Sequence, residues 1–130
     1  LFSIYLIRVH QINNGISPYF IILLLWYPCF ENLFSIIRKK ASKILATNPD
    51  NSHLHQLFFL FILKRIKIEN KLIANNLTSL IINIYYFSIF FIGVQNFNKT
   101  NVQLILIAIN LIIYICLYIL LNRFKKNLQK

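Results

Sequence analysis

Apolar residues run unbroken, or nearly so, through residues 18–37, 77–97 and 102–121. A bilayer-spanning helix needs ~20 mostly apolar residues at ~1.5 Å rise each, so each stretch is long enough to cross. Lipid offers no hydrogen-bond partner to the backbone, which forces helices even where the wealth of Ile and Phe would favour strands in water. Asn13-Asn14-Gly15-Ile16-Ser17-Pro18 reads as a turn and helix start, with Ser17 a capping type and Pro18 suited to the first turn. Asn96-Phe97-Asn98-Lys99-Thr100-Asn101 reads as a tight turn joining an antiparallel pair, with Thr100 or Asn101 as the next cap. Leu57–Leu63 is apolar but too short to cross, and is expected to form a short interfacial or re-entrant helix. Leu72, Ile73 and Leu77 are expected to lead amphipathically into the second span. The predicted fold class is all-α: a polytopic transmembrane helical bundle with about three spanning helices, a basic loop over 38–76 and a short interfacial helix. Leu1–Ile7 resembles the end of a longer apolar segment, so residues 1–130 are expected to be the C-terminal part of one larger membrane domain, its N-terminal part missing. Neither a basic leader nor a small-residue cleavage site opens the sequence, so no signal peptide is expected.

Composition changes the picture in one respect. Only 13% of residues are charged and 58% are hydrophobic, yet the formal net charge is +11. A soluble protein so basic would point to nucleic acid. Here the cations lie between apolar runs, which points to anionic headgroups and charged substrates instead. Arg38, Lys39, Lys40, Lys43, Lys64, Arg65, Lys67 and Lys71 separate the first two spans, and Arg123, Lys125, Lys126 and Lys130 follow the third. Arg8 and Lys99 stand in the other loops, a split of twelve against two. The positive-inside rule then assigns 38–76 and the C-terminus to the cytoplasm, and 8–17 and 96–101 to the outside. The surplus of Ile, Asn, Lys, Phe and Tyr suits an AT-rich genome, so a single Asn carries little meaning by itself.

The chemistry-bearing stretch is Asn48-Pro49-Asp50-Asn51-Ser52-His53-Leu54-His55-Gln56. Asp50 and Ser52 are capping types for a helix that follows. His53 and His55 share a side if the backbone is extended and diverge by ~200° if it is helical. Two imidazoles amid Lys and Arg suit a phosphate or nucleotide, since each donates hydrogen bonds and carries charge near neutrality. His-x-His with one Asp is also an incomplete metal set. An ordinary polar surface loop accounts for the same residues. Glu31 is the second candidate. It lies inside the first span, three residues after Pro28, whose ring removes one helix hydrogen bond. An intramembrane carboxylate is costly and marks either a function or a paired site. Arg38, two turns along, is its expected partner. Asn83, Asn110 and Ser88 are expected to bond between helices. Trp26 and Tyr27 are expected to pack, His10 to lie at the surface, and Cys29 and Cys116 to act as small buried apolar residues.

Ser17-Pro18, Tyr27-Pro28, Glu31, Leu33-Phe34-Ser35-Ile36-Ile37-Arg38, Pro49-Asp50 and His53-Leu54-His55, in that order, resemble the C-terminal part of bacterial polyprenyl-phosphate sugar-1-phosphate transferases, the glycosyltransferase family 4 enzymes related to phospho-MurNAc-pentapeptide transferase. The resemblance covers roughly residues 15–60. It implies an inner-membrane enzyme of cell-envelope glycan synthesis, in which a polyprenyl phosphate attacks the β-phosphate of a UDP-sugar to give a polyprenyl-diphosphate sugar and UMP. By the resemblance, His53, His55, Arg38 and Gln56 contact the substrate phosphates. Asp50 and Pro49 shape that loop, and Glu31 and Pro28 support it. Gln56 stands where the family usually has a further His, and Gln cannot become cationic. Mg²⁺ is the implied cofactor, but the family's aspartate-rich motifs lie upstream, and Glu31, Asp50 and Glu69 are the sole acids here. No catalytic residue and no metal ligand is therefore expected within this chain, which alone should lack transferase activity. The implied partners are the UDP-sugar, polyprenyl phosphate, membrane lipid and a second copy in a homodimer, but no nucleic acid. Two competing readings are a non-catalytic membrane subunit whose basic loop binds anionic lipid, and a transporter fragment with Glu31 lining a polar path.

Overall fold

Each long apolar run folds as a helix in the structure, a computed structural model that describes residues 2–13, 15–41 and 52–128. Five helices form, and no strand among the described residues: α1 (Phe2–Ile12), α2 (Pro18–Ala41), α3 (Leu54–Arg65), α4 (Lys71–Gln95) and α5 (Thr100–Leu128). α2, α4 and α5 contain 24, 25 and 29 residues and are long and apolar enough to cross a membrane. The protein is thus an all-α membrane protein with three helices of spanning length. Each of these outruns its apolar stretch at the basic end: α2 continues to Ala41, α4 starts already at Lys71, and α5 continues to Leu128. The backbone hydrogen bonds need no apolar surroundings, and Arg38, Lys39 and Lys40, or Lys125 and Lys126, complement the negative C-terminal end of their helix. Residues 8–12, expected in a loop, complete α1 instead.

Large apolar side chains such as Leu80, Ile84, Phe87 and Phe91 point outward from α4. In water such a surface would aggregate; in hydrocarbon it is the solvated face. Cys29 and Cys116 also lie on the outer surface and not in the interior as expected. A thiol is apolar enough for lipid, so an apolar run does not fix which way it turns. The inward faces carry larger groups. Trp26 stacks on Tyr86 with centroids 6.0 Å apart, and Tyr114 receives Phe30 and Phe34 edge-on at 4.9 and 5.5 Å. Leu23, Leu54, Leu57, Leu106, Tyr118 and Leu121 complete this core. α3 packs against both α4 and α5.

The end opposite the cations is stitched by polar groups. Ser17 N–H donates to Phe97 O at 2.9 Å, and the Ser17 and Thr100 hydroxyls meet at 3.1 Å. The two turns thus hold each other through these hydroxyls, with Ser17 directly before α2. Gln103, completely buried, donates from Nε2 to Gly93 O at 2.9 Å and to Asn96 O at 2.7 Å. A Cβ on Gly93 would come within 2.8 Å of Leu23 Cδ2, so the glycine lets α4 approach α2 closely. At the other end, the Asn70 side chain caps α4 by accepting from Leu72 N at 2.9 Å. Asn110 accepts from the Tyr85 hydroxyl and so joins α5 to α4 as expected, whereas Ser88 bonds Ile84 O of its own helix at 2.9 Å. Ser hydroxyls reach the carbonyl four residues back with ease, and that local bond satisfies Ser88 on an exposed face. Because Gln103 serves two carbonyls at a helix end, Gln103→Leu should lower stability by about 2 kcal/mol. Unfolding of the purified protein in mixed detergent micelles measures this, and an unchanged midpoint would show that the turn stands without it.

Candidate functional site

Glu31 lies on the inner face of α2, only 7% exposed. An ionised carboxylate at such a place must be compensated. Its Oε1 accepts from the backbone N–H of Leu54 at 2.8 Å and faces Nδ1 of His53 at 3.0 Å. Leu54 is the first residue of α3, so Glu31 sits at the positive end of that helix dipole and satisfies an amide left over at its start. The ionic partner of Glu31 is therefore His53, 22 residues on, and not Arg38 as expected. Arg38 directs its guanidinium over the rings of Phe34 and Tyr118, at 5.7 and 5.3 Å. Glu31 Oε2 and the Tyr27 and Tyr114 hydroxyls are buried without a hydrogen-bond partner among the described residues. Both tyrosines belong to the aromatic core above the carboxylate.

His53 itself is the residue before the first turn of α3, with extended backbone angles (φ −66°, ψ 148°). Its N–H donates to Gln56 Oε1 at 3.3 Å, the return half of a capping box. The Gln56 carbonyl is thereby engaged and its amide N–H₂ remains as a donor. The extended backbone at His53 lets the His53 and His55 rings share a side, parallel within 14° at a centroid distance of 5.8 Å. His55 is exposed, His53 half-buried. Ser52, expected to cap α3, instead accepts a hydrogen bond from Lys125 Nζ at 3.2 Å, which fastens the end of α5 to the start of α3. His53 occupies the capping position because the Glu31 carboxylate reaches the Leu54 amide first. Pro49 and Asp50 lie outside the described residues. Pro28 sits on the outer surface of α2, and the helix continues through it to Ala41. His10 lies half-buried on α1, not at the open surface. α1 lies against α2.

Arg38 and Lys125, at the C-terminal ends of α2 and α5, thus share one end of the bundle with His53 and His55. The arrangement offers two imidazoles, a guanidinium and an ammonium, the donor chemistry of phosphate recognition. Among the described residues no group of three or more His, Cys, Asp or Glu stands close enough to hold a metal ion. The Leu54 amide as a ligand of Glu31 has no signal in the sequence, since it depends on the start of α3 meeting the Glu31 side chain of α2.

Beside this site a cavity of about 260 Å³ opens between α2, α3, α4 and α5, lined by Trp26, Tyr27, Leu54, Phe58, Tyr85 and Tyr114 among others. Its walls are apolar. A second concavity, at the α3–α4 connection, is bordered by Lys64, Lys67, Glu69 and Lys71. Lys67 has a left-handed backbone (φ 60°), which a side chain seldom adopts. No protein-family model matches the chain, and no curated protein and no solved structure matches it either.

Proposed function

We propose that the chain is the C-terminal membrane part of a UDP-sugar:polyprenyl-phosphate sugar-1-phosphate transferase, with residues 38–76 and the C-terminus on the cytoplasmic side of a bacterial inner membrane. The observation that carries the reading is the Glu31–His53 contact at 3.0 Å. The resemblance singles out both residues, one within a span and one in a loop, and a functional constellation requires such residues to meet. The reaction would form a bond from a terminal oxygen of the polyprenyl phosphate to the β-phosphorus of the UDP-sugar. It would break the bond from that phosphorus to the bridging oxygen, which leaves with UMP. Such a transfer relies on positioning and charge neutralisation. His53 and His55 present two parallel rings to the diphosphate, and Arg38 and Gln56 add donors. Glu31 keeps the start of α3, and so both rings, in place. Mg²⁺ supplies further charge neutralisation when bound, with ligands from sequence upstream of this chain, and the chain alone would release no UMP.

A non-catalytic reading draws on the concavity at the α3–α4 connection, where Lys64, Lys67 and Lys71 gather beside one acid. Like charges so placed suit an anionic lipid headgroup. The topology tests the transferase directly. Single cysteines placed at His55 and at Asn98, in a background lacking Cys29 and Cys116, should react with a membrane-impermeant maleimide from the cytoplasmic and periplasmic sides respectively. Labelling of position 55 from the periplasm would reject the transferase, since UDP-sugars are cytoplasmic.

A further inference from the structure

Glu31 does more than hold α3: it dictates which nitrogen of His53 carries hydrogen. Oε1 already accepts from the Leu54 amide, and Nδ1 meets the same oxygen at 3.0 Å. A carboxylate oxygen in that position accepts again, so Nδ1 of His53 bears the hydrogen. We propose that Glu31 makes His53 a pH-gated phosphate ligand, in which Nε2 donates to a phosphate oxygen only when the ring is an imidazolium. This rests on the phosphate-binding reading above.

The consequence follows from the tautomers. Nδ1–H is retained by Glu31 whether the ring is charged or neutral. The proton lost on titration is therefore the one on Nε2. A neutral His53 then presents a lone pair, which repels a phosphate oxygen. A free histidine would adjust by moving its remaining hydrogen to Nε2, and here Glu31 prevents it. Affinity for a diphosphate should be full where the ring is an imidazolium and fall as pH rises across the range in which imidazoles lose their charge. Loss of a charge-assisted hydrogen bond corresponds to about tenfold to hundredfold in affinity.

The groups around the pair are few. From α2, Glu31 faces the ring, with Tyr27 close to Glu31. The parallel His55 ring lies 5.8 Å away, on α3. Tyr114 of α5 also lies close to Glu31, and Lys125 reaches the neighbouring Ser52. From α4, Tyr85 borders the cavity that Leu54 lines. Among the described residues around the pair, Glu31 is the only carboxylate that meets Nδ1.

Two measurements on the purified chain in micelles test the gate. In ¹⁵N spectra of histidine-labelled protein, neutral His53 should show the Nδ1–H form, assigned by its loss in His53→Gln. In Glu31→Gln, whose amide can donate to or accept from Nδ1, the Nε2–H form should appear. Calorimetry with inorganic pyrophosphate from about pH 5.5 to about 8.5 should show affinity falling with pH in the parent. The fall should be shallower in Glu31→Gln, while pyrophosphate's own ionisation is common to both. Glu31→Gln keeps an acceptor for Leu54 N–H, and circular dichroism verifies its helices. The Nε2–H form in the parent, or equal slopes in both proteins, overturns the gate alone. The Nδ1–H form without pyrophosphate binding at any pH overturns the phosphate reading and the gate with it.

Discussion

Glu31→Ala should cost the protein about 3 kcal/mol of stability, the largest effect expected of any single polar substitution here. The carboxylate is buried and serves two donors at once, the Leu54 amide and the His53 ring. Alanine leaves the amide at the start of α3 without an acceptor in surroundings that supply none, and it removes the negative charge opposite that helix's positive end. Relief comes only from the carboxylate's own desolvation cost, which disappears with it. The loss should be local before it is global. The start of α3 should loosen from Glu31 first, so that protease cuts near residues 52–54 at detergent concentrations where α2, α4 and α5 keep their helicity. Glu31→Gln should lose about 1 kcal/mol, since the amide oxygen still accepts. Stability of Glu31→Ala within about 0.5 kcal/mol of the parent in micelle unfolding would show that the carboxylate does not hold α3.

In the complete protein, His53→Ala should reduce turnover about 10²-fold, and His55→Ala by a similar factor, because each ring would stabilise charge on a transferring phosphoryl group. His10→Ala, on α1 at the opposite end of α2, should change turnover little. The contrast matters more than either value. A basic loop that merely attracts lipid would lose the same small amount with any of the three. Equal and minor losses at His53, His55 and His10 in a radiolabelled UDP-sugar assay would therefore favour the lipid-binding reading. Such a result would turn attention to Lys64, Lys67 and Lys71.

The helices were legible because the bilayer leaves one answer. An apolar run of ~20 residues with a polar turn at each end specifies a spanning helix whatever its β propensity. The ends were less legible, since hydropathy reports where lipid stops and not where the backbone uncoils; α5 passes Leu121 and ends only at Leu128. Glu31 and His53 stood out singly by residue type and position. Their pairing did not, because it depends on how α3 folds back against α2, and the spacing of Arg38 offered a nearer partner along one helix. Gln103 was invisible for the opposite reason. A glutamine in an apolar run looks like tolerance for a polar residue until the turn it closes is in view. Local rules weigh local amides, so the contact of the Ser17 and Thr100 hydroxyls between two turns far apart in sequence was not legible either.

The seat of α3 has a consequence for biogenesis. α3 rests on α4 and α5, and Lys125 fastens Ser52 from the last turns of α5. A nascent chain that has delivered α2 and α3 to the translocon therefore has Glu31 to meet His53, but not yet the two helices on which α3 rests. α3 must wait beside the insertion machinery until two further segments have been synthesised. Maturation of the imidazole pair is thus coupled to the synthesis of α5, and any chain aborted before α5 enters the membrane without it.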